Sequence, residues 1–424
     1  MTMSQISTQI STQISTQIST QISDNCLALA NMPYGQQLEH KLQTMKHIFP
    51  LFDNPVIPSP ITDFYRNKLR FDVGPDPNGK ISIGYALSKK QSMTKFVYSA
   101  INMRHLNTKM IQIITIMEDF FNNYRFEYCP ACPRKWFSTV HNKSIFHTIV
   151  IRSSFHTNDC MVIMKFNSFY EDEIANYFKK LTTDIILHPS IIIDCIDGFR
   201  ILKGNNYITE KLDKYTFRIS CDSFFQVNTF ATEILYSKIK ELSFKYFLIS
   251  TRNPNILFDL CCGTGTIGMY LTDIFTEVIG IEINKSAVLD AKINKEINNI
   301  QNIRFVCSPI ENCLQTELDL CYEKYSNPIF FAVVDPPRTG MHGNVHETIN
   351  QCHDLNYLIY VSCNAITLKK DLSILEKEFD VVEMHYVDLF PHTPHCEVIC
   401  VLKRRTLKKI DILTDSFTNI KIAE

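Results

Sequence analysis

The chain has 424 residues, 45% of them hydrophobic, enough to bury a large core that splits in two, because single cores stop growing near roughly 250 to 300 residues. Lys and Arg (43) nearly balance Asp and Glu (44), so no net charge draws the chain to nucleic acid and any such contact rests on local basic patches. The fifteen cysteines read as free thiols of a reducing compartment, and no run approaches the roughly 18 apolar residues of a membrane helix, which argues against secreted disulfide scaffolds and membrane roles.

Residues 4–23 repeat ISTQ without a charge and cannot bury enough surface to offset chain entropy, so residues 1–30 are predicted to be a disordered, low-complexity tail. The segment has no arginine, unlike a mitochondrial presequence, and the expected location is cytoplasm or nucleus rather than mitochondrion. Residues 50–215 turn to short β-like runs broken by Pro, Gly and Asn; RFDVGPDPNGKISIGY (70–85) places a hairpin turn at PDPNG. This predicts an α+β domain, suited to substrate binding. Cys129 and Cys132 supply at most two of the four ligands that an iron–sulfur cluster needs, and no metal is expected.

A domain boundary near Tyr215 opens a second unit over 216–405. Phe225, Leu235, Ile239 and Leu242 recur at near-helical spacing over 223–242. Continuous apolar runs at 255–260, 277–283, 303–308, 329–335 and 357–363 alternate with helical patterns such as GTIGMYLTDIF and SAVLDAKINKEINN. Strands buried on both faces require such runs, so the fold class is α/β, a doubly wound parallel sheet following the α+β domain. FDVVEMHYVDL and CEVICVLKR are predicted to close the sheet as an antiparallel hairpin, and 406–424 form a basic C-terminal tail.

The chemistry is expected at the carboxyl ends of these strands. Gly263, Gly265 and Gly268 spell G-x-G-x-x-G after the first strand, where backbone can approach a ligand, and Glu282 stands 19 positions after Gly263, where an acid meets ribose hydroxyls. A dinucleotide and S-adenosylmethionine both fit that pattern; Asp259, four residues before Gly263, is closer to the methyltransferase form. Asp335-Pro336-Pro337-Arg338 leaves the fourth strand with two prolines that stiffen it. Cys363 ends the fifth strand facing the crevice, a nucleophile's position. Glu397, at the mouth of an apolar strand after FPHTPHC, is a candidate general base or else an ordinary strand-edge charge.

In order along the chain stand F-x-x-S-x-x-x-F-F-Q-x-N (217–228), D-x-C-C-G-T-G-T-I-G, I-E, D-P-P-R-x-G, Y-V-S-C-N and F-P-x-T-x-H-x-E. Together with YRNK at 65–68, and over about 61–405, this set resembles the S-adenosylmethionine-dependent RNA (uracil-5-)-methyltransferases, above all their eukaryotic tRNA branch. The resemblance implies a Rossmann-like methyltransferase sheet and S-adenosylmethionine as methyl donor, contacted by Gln226, Cys261, Gly263, Gly265, Thr266, Glu282 and Asp335. It implies Cys363 as nucleophile, Glu397 as proton acceptor, and tRNA as partner with a T-loop uridine as target. No obligate protein partner is expected. Ala365 stands where the family commonly has proline, and Arg70 where it often has an acid.

A thiolate adding to carbon 6 of uracil makes carbon 5 nucleophilic, and a base must later remove the carbon 5 proton. The surroundings of Cys363 are therefore expected to stabilise its anion. The target uridine must be extruded from its stack. Phe64, Tyr65, Arg66, Lys68 and Arg70 form one candidate RNA cluster, and Lys403, Arg404 and Arg405 with Lys408 and Lys409 another. Competing readings are methylation of another RNA, and an RNA-folding protein with weak catalysis. Cytosine-5 methylation lacks its second cysteine in DPPR, and no hydride-transfer constellation supports a dehydrogenase.

Overall fold

A computed structural model describes residues 27–88, 95–123, 137, 146–166, 189–195, 198–247 and 253–405. The ISTQ repeat, Cys129, Cys132, Lys408 and Lys409 lie outside the described residues.

The chain enters through helix α1 (Tyr34–Ile48) and a two-residue strand β1 (Val56–Ile57). A seven-stranded sheet follows, built from β2 (Lys68–Pro75), β3 (Ile81–Ser88), β4 (Lys95–Ser99), β5 (Phe146–Ser153), β6 (Cys160–Phe166), β7 (Ser190–Cys195) and β8 (Gly198–Lys203), in the order β4-β3-β2-β5-β6-β7-β8. The β2–β3 hairpin turns at PDPNG, where Gly79 takes a left-handed φ of 82° that glycine adopts at no steric cost. Helix α2 (Thr108–Asn123) covers one face, setting Met110, Ile113, Ile114 and Met117 against Phe71, Ile149, Ile151 and Val162. The opposite face is covered over part of its area: Val150, Met161, Ile163 and Ile192 continue into the core of the second unit, through Phe217 and Leu235, while Arg70 and Asp72 on the same face stay exposed.

That second unit begins with a hairpin of β9 (Tyr207–Leu212) and β10 (Tyr215–Ser220). The boundary read at Tyr215 therefore cuts through one hairpin. Both strands are alternately buried, and side chains of the helix Lys285–Ile297 and its C-cap Asn298 hold β10: Asn298, Asn294 and Asp290 accept from the backbone N–H groups of Thr216, Arg218 and Ser220. Helix α3 (Thr229–Phe247) starts after the FFQVN run; Phe225 precedes it in the loop rather than sharing its face.

The catalytic-type sheet consists of β11 (Asn255–Leu260), β12 (Glu277–Glu282), β13 (Ile303–Cys307), β14 (Ile329–Val334), β15 (Leu355–Ser362), β16 (Phe379–Val387) and β17 (Glu397–Arg404), with β1 added at one edge. Its order is β1-β16-β17-β15-β14-β11-β12-β13, and β17 alone runs antiparallel to its neighbours. Between the strands lie α4 (Thr266–Tyr270), α5 (Lys285–Ile297), α6 (Ile310–Lys324), α7 (Gly343–Gln351) and α8 (Ala365–Leu375). Successive residues alternate between two cores: Leu257, Phe331, Val333 and Ile359 face the β9–β10 hairpin and α3, whereas Ile256, Phe258, Phe330 and Leu358 face the other side. The apolar runs arise because both faces are covered.

One expectation is corrected: the GTIGMYLTDIF segment forms only the short α4 followed by turns. Residues 31–49, to which the sequence assigned no element, join the core of the eight-stranded sheet through Met45, Ile48 and Phe49, together with Val56 of β1.

Candidate active site

Register alone gathers the candidate residues. Leu260 pairs with Val334, Val334 with Tyr360, and Ser362 with Val398 across the β15–β17 ladder. One step beyond these pairs come Cys261, Asp335, Cys363 and Glu397, so four chain-distant residues share one edge of the sheet. Asp335 N–H reaches back to the carbonyl of Leu260 at 3.4 Å.

On one side of this row lies the glycine loop. Asp259 Oδ2 accepts the N–H of Gly268 at 2.8 Å, and a Cβ at Gly268 would stand 2.8 Å from that same oxygen. The third glycine is thus fixed by a backbone-to-carboxylate contact. Gly263 N–H donates to Glu282 Oε2 at 3.0 Å and Asn284 N–H to Oε1 at 2.8 Å, which ties the loop to the tip of β12. Cys261, Gly263 and Gly265 all take left-handed φ values (62°, 53° and 81°), folding the backbone around a small cavity. Gln226, Tyr236, Asp259, Thr266 and Asp335 line it, and the Tyr236 and Thr266 hydroxyls meet at 2.8 Å. A second cleft shares Cys261 and extends past Glu282, Pro309, Pro336 and Gly340. Of the residues assigned to the methyl donor, Gln226, Cys261, Gly263, Thr266, Glu282 and Asp335 border one of these two spaces, whereas Gly265 lines neither.

Gln226 Nε2 donates to Asp335 Oδ2 at 3.4 Å. Burial raises the Asp335 carboxyl to about 7, and Asp259 to about 8. A cationic amine or sulfonium in this acid-lined cavity would recover the lost solvation, and this donor set fits S-adenosylmethionine.

On the other side stand Cys363 and Glu397. Cys363 is half-buried; Glu397 is fully buried, and neither of its carboxylate oxygens has a hydrogen-bond partner. Burial, then the nearby Asp335 charge, pushes the Glu397 carboxyl well above its usual range. Such an orphaned acid is costly to fold, which makes Glu397 a candidate for use rather than for packing. The expectation of a stabilised thiolate is not met: burial and then Glu397 raise the Cys363 thiol to about 11. Arg338 supplies the opposing influence, its positive charge drawing the thiol back down. Its backbone is pinned, since Asn364 Nδ2 and Thr367 Oγ1 both donate to the Arg338 carbonyl. Cys261, the other half-buried thiol of the crevice, meets only acids there and rises to about 12. In the sequence Arg338 stands out only as the residue that follows two prolines, and no local pattern announces its proximity to Cys363.

The candidate RNA clusters separate. Phe64 is half-exposed with a strained φ of 57°, whereas Tyr65 is fully buried and donates to the Pro391 carbonyl at 3.1 Å. Burial, then Arg152, lowers Lys68 to about 7. In the second cluster Arg404 is buried, donates to the carbonyls of Leu355, Ile349 and Cys352, and lies over the Phe379 ring at 4.2 Å. It ties the end of α7 and the start of β15 to β17, and its burial removes it from the candidate RNA contacts. Arg405 pairs with Asp380.

Comparison with known proteins places the chain among relatives of one family. The family model described as tRNA (Uracil-5-)-methyltransferase matches residues 33–405. Protein R405 of Acanthamoeba polyphaga mimivirus, provisionally named an RNA methyltransferase, is 50% identical over 386 residues, covering 90% of this chain and 97% of that protein. The human tRNA (uracil-5-)-methyltransferase homolog B is 30% identical over 378 residues, covering 83% and 72%. Among solved structures, the Pyrococcus abyssi tRNA (uracil-54, C5)-methyltransferase in complex with S-adenosyl-L-homocysteine superposes with a TM-score of 0.65 at 25% identity, covering 88% of this chain and 84% of that one.

Proposed function

The chain belongs to the tRNA (uracil-5-)-methyltransferase family, and from that premise we propose that it methylates carbon 5 of a tRNA uridine, the T-loop uridine first, through a covalent bond between Cys363 and carbon 6. The observation that carries the reading is Glu397: a fully buried carboxylate whose two oxygens have no hydrogen-bond partner, beside Cys363 at the end of the β15–β17 ladder, where the Arg338 charge bears on the sulfur.

S-adenosylmethionine, held by Gln226, Glu282, Asp335 and the loop around Gly263, supplies the methyl group. Cys363 adds as thiolate to carbon 6, and the electron pair of the 5,6 double bond moves into an enolate that carbon 5 uses for attack. Arg338 steadies the sulfur while it is charged. After transfer, carbon 5 holds both a methyl group and its original hydrogen. Glu397 takes that proton onto a free oxygen, the double bond re-forms, and the sulfur leaves. A desolvated carboxylate is a stronger base than a hydrated one, so burial serves this step.

Incubation with labelled S-adenosylmethionine and unmodified tRNA, followed by nucleoside analysis, tests the assignment. Label in 5-methyluridine at the T-loop is expected; label in 5-methylcytidine, or none, contradicts it, and label in other RNAs only moves the substrate.

A further inference from the structure

We propose that Gln37 and Lys41 of helix α1 are positioning residues that set the placement of Glu397, by clamping the loop from Asp388 to Cys396; this rests on the reading of Glu397 as the base. Glu397 has no side-chain hydrogen bond of its own, so its carboxylate lies where its backbone and the packing around it put it. That backbone is the exit of the loop, and the loop is held from outside the sheet.

Lys41 is fully buried. Its Nζ lies 2.5 Å from Asp388 Oδ1 and donates to the Phe390 carbonyl at 3.1 Å. Asp388 Oδ1 also accepts the Phe390 N–H at 3.0 Å, and Oδ2 accepts the Tyr34 hydroxyl at 3.0 Å. Gln37 grips His392 twice: its Oε1 accepts the His392 N–H at 2.8 Å, and its Nε2 lies 3.1 Å from Nδ1. His392 has a φ of 68°, a left-handed conformation that a non-glycine residue holds only when its surroundings impose it. Those surroundings are the N-terminal segment, because Leu29 N–H takes the His392 carbonyl and Asp63 meets Nε2 at 3.2 Å. A helix some 350 positions upstream in sequence thereby fixes the strained turn that leads into the base.

A positioning role differs from a general contribution to stability in where the reaction stalls. Adding the thiol and accepting the methyl group do not use Glu397, whereas release of product does. Gln37→Met keeps volume and neutrality while removing the grip on His392. Lys41→Met/Asp388→Asn removes both buried charges together and strands neither. Each variant is given tRNA and S-adenosylmethionine, and three quantities are followed: single-turnover methyl transfer, the covalent protein–RNA species on a denaturing gel, and release of free methylated tRNA. Release is expected to fall about tenfold or more, since misplacement by about 1 Å costs up to about 10²-fold, while methyl transfer stays within about threefold and the adduct accumulates. Placed in a Glu397→Gln background, Gln37→Met should slow release no further.

Equal losses in transfer and release, no change in either, additive losses in the double variant, or failure of both variants to fold would overturn the proposal. If Glu397→Gln itself accumulates no adduct, the base assignment fails first; if it does while the clamp variants do not, only the clamp fails.

Discussion

Cys363 and Glu397 must each be unprotonated to act, and burial pushes both upward, the thiol to about 11. A thiol titrating above the assay pH is ionised in a fraction that grows tenfold per pH unit, so single-turnover adduct formation should rise by about that factor per unit between pH 7 and 9. A flat profile would contradict the assignment. Arg338 lowers the thiol, so Arg338→Gln should move the profile further toward alkaline pH and reduce the rate at fixed pH. Asp259 offers a stability counterpart. Its folded value of about 8 lies above the ordinary 3.8, so the folded chain binds the extra proton within that window and loses stability as pH rises through it. Asp259→Asn keeps an acceptor for the Gly268 N–H while removing the charge. The fall in Tm from pH 5 to pH 8 should therefore be shallower in the variant; an equal fall would rule out Asp259 as its source.

Among the elements, helix α8 explains a departure that the sequence left open. Ala365 is its first residue, after Asn364, whose side chain accepts from the N–H groups of Ile366 and Thr367. The N–H of a first helical residue has no helical partner, which is why proline is at home there, and alanine serves equally. Asn364, at φ −138° and ψ 97°, already has the extended backbone that precedes proline. Ala365→Pro is expected to leave activity unchanged and to stabilise by about 0.4–1 kcal/mol, read by denaturant unfolding; a loss above that size would show that the N–H is used. Gly268 allows no such freedom. Gly268→Ala would drive its Cβ to 2.8 Å from Asp259 Oδ2 and 3.2 Å from Ile303 and Val278, destabilising by about 1–3 kcal/mol and weakening S-adenosylhomocysteine binding. Strands and glycines were legible because each obeys a local rule: a run covered on both faces, or a φ that only glycine takes freely. Helix α1 followed no such rule. Gln37 and Lys41 look like solvent-facing helix residues, and their burial depends on His392 and Asp388, 355 and 347 positions away.

At the scale of the molecule, buried polar groups join the seven-stranded sheet to the β9–β10 hairpin and to the FFQVN loop. Arg152, fully buried, donates to the carbonyls of Ser220 and Ser223. Glu210 accepts from Ser154, Phe155 and Thr229, and Asn67 of the YRNK run donates to the Gln226 carbonyl and to Thr229. The motifs that looked scattered along the sequence therefore meet at the seam between the first domain and the sheet edge. Their order was readable, but not their contacts, because side-chain pairing across 160 residues leaves no periodic trace. Phe64 and Arg66 stand beside this seam, and tRNA affinity is expected to fall as salt rises, with a smaller slope after Arg66→Gln; an unchanged slope would place the phosphate contacts elsewhere.

In the proposed reaction one sulfur bonds transiently to the pyrimidine and one carboxylate releases it, which intact-mass and peptide analysis of Glu397→Gln after incubation with tRNA and S-adenosylmethionine can read out. A stable species is expected in which the Cys363 peptide carries a methylated uridine, absent from Cys363→Ala. An adduct on another residue, or 5-methyluridine formed by Cys363→Ala, would contradict that reaction.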